Sequence, residues 1–233
     1  MMLDGLQNDC GTFVYFNQEE IQAMAVPSIT FEINMKDSSV AQTTEQLNNR
    51  LYYSGHDCLY ADTEDLTKAA QTQGFPRISG HEVKMLIVPT CRIMTAEALT
   101  ALARMQEAGT LVLFEAKLPE LCIGGDITDL TAPFKAVSDD DILSCLADNN
   151  AEFTVNSDDG KLVQAKYITK DGHDLYLINN RARNVAHVTC RRTKDGVSAK
   201  TATLFNPDDG DVREISLDTP FEIPAARAVL LEF

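Results

Sequence analysis

The pattern of apolar residues changes near residue 150, and this change constrains the fold more than any other feature of the chain. Before it, short apolar runs alternate with segments of helical periodicity, a pattern typical of strands connected by helices. After it, short strand-like runs alternate with turn sequences. The segment Leu146–Phe153 separates the two patterns. We therefore predict two domains, over residues 28–150 and 151–233, and assign no domain to residues 1–27.

A strand, a helix and a second strand form the clearest unit of the first domain. Val83–Val88 is apolar enough to be buried on both faces of a sheet, and Thr110–Phe114 has the same character. Thr95 is a candidate N-cap for the helix between them, as Asp62 is for an earlier helix. Two strand–helix pairs precede this unit, so we predict a doubly wound parallel sheet of the flavodoxin-like type.

Shorter signals supply the other predicted elements before residue 150. These are a strand at Thr12–Phe16, a helix at Gln18–Met24, a strand at Ser28–Ile33, a helix from Ser38 or Ser39 to Tyr53, a strand at Asp57–Tyr60, an irregular loop at Pro119–Pro133 and a helix that begins at Asp139. The acidic start of the last helix suits the positive end of a helix dipole.

Turn sequences ending in Asp-Gly recur after Phe153, at Asp158–Gly160, Lys170–Gly172, Lys194–Gly196 and Asp208–Gly210. Asp-Gly between strand-like runs is a strong signal for a tight hairpin. About seven strands in about 80 residues predict a small antiparallel β-sandwich for the second domain.

The charge balance limits the partners of the chain. It has 20 Lys and Arg against 35 Asp and Glu, a net charge of −15, which argues against nucleic acid and anionic membrane surfaces as partners. Apolar residues make up 44% of the chain, enough for a packed core. No signal peptide or membrane-spanning run is visible, so the expectation for a complete chain is a cytoplasmic protein.

The cysteine and glycine patterns predict neither a metal site nor a cofactor. The six cysteines are far apart and no Cys-x-x-Cys pair occurs, so we expect free thiols and no structural zinc site. Gly124 and Gly125 are not followed by the Gly-Lys-Ser/Thr ending of a phosphate-binding loop.

Three segments of the first half, Tyr60–Ala69, Lys84–Leu99 and Met105–Leu113, carry a family resemblance. They resemble the class I glutamine-amidotransferase-like accessory domain of large glycoside hydrolases. The similarity is to the alpha-L-rhamnosidase family and to the trimerisation domain of bacterial beta-galactosidases. The resemblance implies an amidotransferase-like variant of the predicted parallel fold.

The second half is similar to the β-domain that follows in the same enzymes. The matching segments are Leu175–Asn180, Thr203–Asp211 and Ala228–Phe233, with Phe205-Asn206 where Trp-Asp is common. The resemblance covers roughly residues 55–233, and residues 1–54 depart from it. Because nothing in the chain resembles a catalytic barrel, it implies a non-catalytic accessory region for packing or oligomerisation. The implied partner is a missing catalytic domain or another subunit.

Cys91 is the one candidate nucleophile, because it lies at a predicted strand-to-helix turn. A nucleophile elbow needs glycines to relieve its strained turn, and here Pro89, Thr90 and Arg92 stand nearby. No histidine lies between Cys91 and Ala151 to act as its base. The sequence therefore favours a structural thiol and predicts no catalytic residue.

A ligand of the first domain is expected at the carboxyl ends of the parallel strands, where such sheets bind ligands. The side chains predicted at that edge are Asn34, Asp62, Cys91, Arg92 and Glu115.

The sequence leaves two alternative functions open. The first is a carbohydrate-binding module in the β-domain, which requires Tyr167, Tyr176, Phe205 and Phe221 to form an exposed cluster. The second is a small hydrolase or amidotransferase-like enzyme that uses Cys91, which requires a histidine within hydrogen-bonding distance of the sulfur.

Overall fold

The computed structural model describes residues 7–8, 10–24, 39–53, 58–149, 153–158, 162–194 and 197–233. These residues divide into two compact units. The α/β unit consists of the described residues of Cys10–Arg50 and Cys58–Ile142. The β unit consists of those of Met1–Asp9, Leu51–Asp57 and Leu143–Phe233.

Helices and strands are mixed up to residue 149, and all the elements described after it are strands. The first group is β1 (Gln7–Asn8), β2 (Thr12–Tyr15), α1 (Gln18–Met24), α2 (Ser39–Tyr53), β3 (Leu59–Ala61), α3 (Thr63–Ala69), β4 (Arg77–Ile78), β5 (His81–Glu82), β6 (Met85–Val88), β7 (Ile93–Thr95), α4 (Ala96–Glu107), β8 (Leu111–Glu115), β9 (Leu121–Ile123), α5 (Ile127–Thr131), β10 (Ala136–Val137) and α6 (Asp139–Asn149). The second group is β11 (Phe153–Ser157), β12 (Val163–Lys170), β13 (His173–Asn180), β14 (Ala186–Lys194), β15 (Val197–Ser198), β16 (Thr201–Phe205), β17 (Val212–Ser216), β18 (Phe221–Ile223) and β19 (Arg227–Glu232). The predicted change of pattern near residue 150 is therefore confirmed.

A five-stranded parallel sheet with the order β10-β8-β6-β2-β3 forms the centre of the α/β unit. Strands β2 and β6 are buried at every position, as expected for apolar runs covered on both faces. Leu86, Val88 and Phe114 of the sheet share one core with Leu99 and Met105 of α4. The predicted parallel sheet is thus confirmed.

Two predicted helix caps are confirmed by their hydrogen bonds. The Asp62 side chain accepts a bond of 2.9 Å from the Asp65 backbone N–H, and the Asp65 side chain accepts one from the Asp62 N–H in return. The Thr95 hydroxyl accepts a bond of 3.2 Å from the Ala98 N–H. Each cap satisfies a backbone donor that the first turn of a helix leaves without a partner.

The structure differs from the sequence prediction in three places. Strand β2, in the segment to which no domain was assigned, pairs with both β3 and β6, so the sheet begins before residue 28. The division between units falls after Ile142, within α6, and not at residue 150. The predicted loop Pro119–Pro133 contains β9 and α5, because β9 pairs with the distant β7. The predicted strand Ser28–Ile33 lies outside the described residues.

The β unit contains two antiparallel sheets, with the orders β1-β12-β13-β19-β16-β17 and β11-β14-β15, and β18 pairs with β14. Tyr176 and Leu231 from the first sheet pack in one core with Val188 and Ile223 from the second. Asp171 and Gly172 both have positive φ angles in the turn between β12 and β13. This geometry is what a two-residue hairpin requires, so the Lys170–Gly172 turn is confirmed.

His187 of β14 forms an exposed ion pair that makes the stability of the β unit dependent on pH. Its Nδ1 lies 2.8 Å from Asp158 Oδ2 and its Nε2 lies 3.4 Å from Glu222 Oε1. The hydrogen bond to Asp158 raises the pKa of His187 above 6.5, and the same bond lowers the pKa of Asp158 below 3.8.

We expect this pair to stabilise the fold at mildly acidic pH and not at alkaline pH. The His187 contribution is complete below the unfolded pKa of 6.5 and is lost as pH rises through the higher folded pKa. The Asp158 contribution is present above 3.8 and is lost as pH falls through its lower folded pKa. The difference in melting temperature between wild type and His187→Gln should therefore narrow as pH rises above about 6.5. A difference in melting temperature that stays constant with pH would contradict this prediction. His81→Gln is the control substitution.

Among the described residues, none of the helices is both long enough and apolar enough to cross a membrane.

Candidate functional site

The carboxyl ends of β2, β3, β6 and β8 meet at one edge of the parallel sheet, as the pairing directions require. Asp62 follows β3, Cys91 and Arg92 follow β6, and Glu115 ends β8. These four predicted edge residues are therefore at the ends of sheet strands. Asn34 lies outside the described residues.

Cys91 is poorly suited to nucleophilic chemistry. The residue is 4% exposed, and burial, with a further contribution from the nearby Glu20 carboxylate, raises the pKa of its thiol to about 12. The nucleophile is the thiolate, so the reactive form is scarce at neutral pH. None of the histidines in the described part of the chain hydrogen-bonds the Cys91 sulfur. The condition set for the amidotransferase-like alternative is not met in that part.

The Glu20 side chain of α1 accepts hydrogen bonds from the backbone N–H groups next to Cys91. Its Oε2 accepts hydrogen bonds of 2.8 Å from the N–H groups of both Arg92 and Ile93. Asn17 holds the same turn, because its Nδ2 donates to the Ile93 carbonyl at 2.8 Å and its Oδ1 accepts from the Glu20 N–H at 3.1 Å. In acyl-transfer enzymes of related architecture, an N–H that follows the nucleophile stabilises an oxyanion. Here the Glu20 side chain accepts the hydrogen bonds of the N–H groups that follow Cys91.

Glu115 is bound within the protein rather than open to a ligand. It is 3% exposed, and its Oε2 accepts a bond of 3.0 Å from the Thr90 N–H. The Thr90 hydroxyl donates to the Glu115 carbonyl at 2.9 Å. Arg50 of α2 forms ion pairs with both Glu115 and Asp139. These contacts connect the end of β8 to α2 and to the start of α6. They therefore stabilise the fold.

The other two edge residues also make internal contacts. The Asp62 side chain caps α3. The Arg92 side chain is exposed and forms an ion pair of 3.4 Å with Glu120. The sequence prediction placed these residues at the right edge, but it missed Glu20 and Arg50, which bind that edge from distant segments. No local signal distinguishes Glu20 from its neighbour Glu19.

We expect thiol labelling to separate Cys91 from the half-buried Cys122. Iodoacetamide at mildly alkaline pH should modify Cys122 quickly in the native protein, whereas Cys91 should react only after denaturation, because its thiol is buried and its pKa is raised. Peptide mass spectrometry after timed quenching gives both rates, and Cys190, which is buried and has its thiol pKa raised to about 12, serves as the control. Labelling of Cys91 faster than Cys122 would contradict this interpretation.

A concave site lies beside β3, the last of the described strands in the sheet order. A groove of about 610 Å³ is lined by Phe16, Tyr60, and Ala41 and four polar residues of α2. The four polar residues are Gln42, Thr44, Glu45 and Asn48. We call it the Tyr60 groove. This groove was not predictable from the sequence, because its residues come from α2, β3 and the segment after β2 and share no motif.

The aromatic residues of the β unit stack on one another rather than on a ligand. The rings of Phe153 and Tyr176 lie 3.9 Å apart, and Tyr167 and Phe233 both contact Tyr176. Phe221 is 8% exposed. The exposed aromatic cluster required for a carbohydrate-binding β-domain is therefore not found among the described residues.

The described part of the chain has no cluster of three or more His, Cys, Asp or Glu side chains that could hold a metal ion.

Comparisons with known proteins connect this architecture to glycoside hydrolases. No family model matches the chain, and no curated protein matches it significantly. Among solved structures, the GH42 exo-carrageenase from Bacteroides ovatus is 12% identical, with a TM-score of 0.63, and the match covers 97% of this chain and 29% of that one. The beta-galactosidase from Bacillus circulans sp. alkalophilus is 12% identical, with a TM-score of 0.63, and the match covers 99% of this chain and 42% of that one.

The fold of this chain is similar to that of a part of these two glycoside hydrolases. A rhamnosidase from Novosphingobium sp. PP1Y also matches, with 19% identity, a TM-score of 0.57, and coverage of 77% of this chain and 20% of that one. The chain therefore spans less than half the length of each of these three enzymes. At these identities the likeness concerns the fold alone.

Proposed function

We propose that this chain is a non-catalytic accessory region of a glycoside-hydrolase-like, carbohydrate-active protein, and that it serves domain packing or oligomerisation. One observation carries the proposal. Nearly all of this chain matches a part of the carrageenase and the beta-galactosidase that is less than half of either enzyme. A region that recurs beside the remainder of such enzymes is suited to holding domains or subunits together.

We further propose a finer assignment of the two units. The α/β unit corresponds to a doubly wound, amidotransferase-like accessory domain, which its five parallel strands support. The β unit corresponds to the β-sandwich that follows in such enzymes, which the shared core of its two antiparallel sheets supports. The proposed partner is a catalytic domain or another subunit.

The chemistry of the sheet edge supports a non-catalytic role. Cys91 carries a thiol with a raised pKa, and the Glu20 carboxyl group occupies the two backbone donors beside it. Glu115 is buried and bound by Thr90 and Arg50. A glycosidase needs two carboxyl groups that face a shared space between them. At this edge, Glu20 Oε2 and Glu115 Oε2 instead accept hydrogen bonds from backbone N–H groups of the protein.

An exposed apolar pair on β9 supports a packing role. Leu121 and Ile123 are 47% and 51% exposed, and their spacing puts them on the same face of the strand. Adjacent exposed apolar side chains favour contact with another protein surface. We propose that this pair belongs to the surface that contacts the catalytic domain or another subunit.

The test combines an activity assay with a measurement of assembly. The purified chain should not hydrolyse nitrophenyl glycosides, and light scattering after size exclusion should detect a dimer or trimer. The double variant Leu121→Gln/Ile123→Thr should shift that assembly toward monomer, whereas the control Val212→Gln, at another exposed apolar position, should not. Turnover of a glycoside would overturn the non-catalytic role. A monomeric wild type would overturn self-assembly and leave the catalytic domain as the partner to be tested by co-expression.

A further inference from the structure

We propose that two copies of this chain associate by antiparallel pairing of their β9 strands, which forms one continuous sheet of the order β7-β9-β9-β7 across a two-fold axis. The inference rests on the packing role proposed above and names a second copy of the chain as the partner of β9. Three features of β9 carry it: an open backbone edge, an apolar face that matches itself, and opposite charges at the two ends of the strand.

The open edge of β9 presents backbone hydrogen-bonding groups. Strand β9 pairs with β7 on one side, and no strand among the described residues pairs with its other side. The Leu121 N–H donates to the Arg92 carbonyl at 3.0 Å, on the side of β7. Because backbone groups alternate in direction along a strand, the N–H and C=O of Cys122 point to the other side. A strand added there is able to exchange two hydrogen bonds with Cys122.

The exposed face of β9 matches itself in one register. Leu121 and Ile123 are 47% and 51% exposed and lie on the same face of the strand. Opposed residues of an antiparallel pair point to the same face, so a two-fold axis has to pass through a residue. With the axis at Cys122, Leu121 of each copy lies opposite Ile123 of the other copy. Residues 121–125 carry no charge, so this register opposes apolar side chains and no like charges.

The two ends of β9 carry opposite charges. At its start, Glu120 forms ion pairs of 3.4 Å with Arg92 and 3.0 Å with Lys117, so two cations surround one carboxylate. Beyond its end, Asp126 caps α5 and Asp129 follows in the first turn, and both residues are exposed. Antiparallel pairing places the start of one β9 beside the end of the other, so the basic end meets the acidic end twice.

These features together favour a second copy over an unrelated protein surface. A two-fold interface uses the same patch on both subunits, so the patch has to be complementary to itself. For β9, a single two-fold operation joins the outward backbone groups of Cys122, opposes Leu121 to Ile123, and brings the oppositely charged ends together. The geometry therefore specifies a symmetric dimer and the residue at its axis.

Charge variants of β9 test the register, with analytical ultracentrifugation of the full chain as the measurement. The wild type should form a concentration-dependent dimer. Leu121→Lys/Ile123→Lys should raise its Kd at least about tenfold, because the introduced lysines oppose one another. Leu121→Lys/Ile123→Glu should stay within about threefold of wild type, because each introduced lysine opposes an introduced glutamate of the other copy. Val197→Lys/Val212→Lys adds the same charge at exposed positions elsewhere and should leave the Kd unchanged.

A short bismaleimide reagent tests the position of the axis. The Cα atoms of directly opposed, hydrogen-bonded residues lie roughly 5.5 Å apart, so the reagent should join the half-buried Cys122 thiols of two copies into a covalent dimer. Peptide mass spectrometry identifies the joined residues, and Cys122→Ser should abolish this product. A monomeric wild type, a trimer, or an unchanged Kd in the double lysine variant would each overturn the β9 pairing. None of these results affects the non-catalytic role, which the glycoside assay tests separately.

Discussion

Replacing Glu20 with alanine is expected to destabilise the protein by about 3–4 kcal/mol, the largest effect of any single substitution at the sheet edge. The Glu20 carboxyl group is 1% exposed and accepts both the Arg92 and the Ile93 backbone N–H bonds. Without it, two donors lose their acceptor and a cavity remains between α1 and β7. Urea denaturation of wild type and variant, followed by far-UV circular dichroism, gives the difference in free energy of unfolding.

Controls at neighbouring positions make this prediction specific. Glu19→Ala, on a half-buried neighbour, should cost well under 1 kcal/mol, because the hydrogen bond that Glu19 accepts from the Tyr15 hydroxyl is long, at 3.4 Å. Glu20→Gln keeps one acceptor oxygen and should be intermediate. Added formate or acetate should partly restore the stability of Glu20→Ala by occupying the vacated donors. A loss below about 0.5 kcal/mol for Glu20→Ala would show that the two N–H bonds have no structural importance.

Replacing Arg192 with alanine is expected to destabilise the β unit by about 3 kcal/mol. The Arg192 side chain is 10% exposed and forms an ion pair with Asp174, whose carboxylate also accepts a hydrogen bond of 2.7 Å from the Tyr167 hydroxyl. The guanidinium carbon lies 4.8 Å from the centre of the Phe233 ring. The substitution removes the ion pair and the cation–π contact together and leaves Asp174 largely buried without its cation.

The adjacent residue provides a matched control for this second prediction. Arg191 is exposed, and because side chains alternate along a strand it faces away from the Arg192 side. Arg191→Ala should therefore change the free energy of unfolding by less than about 0.5 kcal/mol. The double variant Arg192→Ala/Asp174→Ala should lose less than the sum of the two single variants, because the two residues interact directly. Additive losses would contradict a direct interaction.

The contacts of Glu20 and Arg50 at the sheet edge are consistent with the proposed accessory role. At the sheet edge, Glu20 accepts hydrogen bonds from the backbone N–H groups beside Cys91, and Arg50 forms an ion pair with Glu115. Polar groups that line a ligand site in many parallel sheets are here used for internal cohesion.

The sequence by itself determined the features that depend on neighbouring residues. Strand β6 is continuous and apolar, so it was predictable as a buried parallel strand. The caps at Asp62 and Thr95 and the hairpin turn at Asp171 and Gly172 follow from side chains and φ angles within a few residues. Together these local signals predict the mixed architecture and the position of the sheet edge.

Only the tertiary structure decided which groups meet at that edge. Glu20 and Arg92 are 72 residues apart, and Arg50 and Glu115 are 65 residues apart, so no local pattern connects them. Strand β9 was missed for the same reason, because three residues become a strand only through pairing with β7. Local propensity is a property of adjacent residues, whereas the surroundings of a carboxyl group or a thiol depend on contacts formed when distant segments pack.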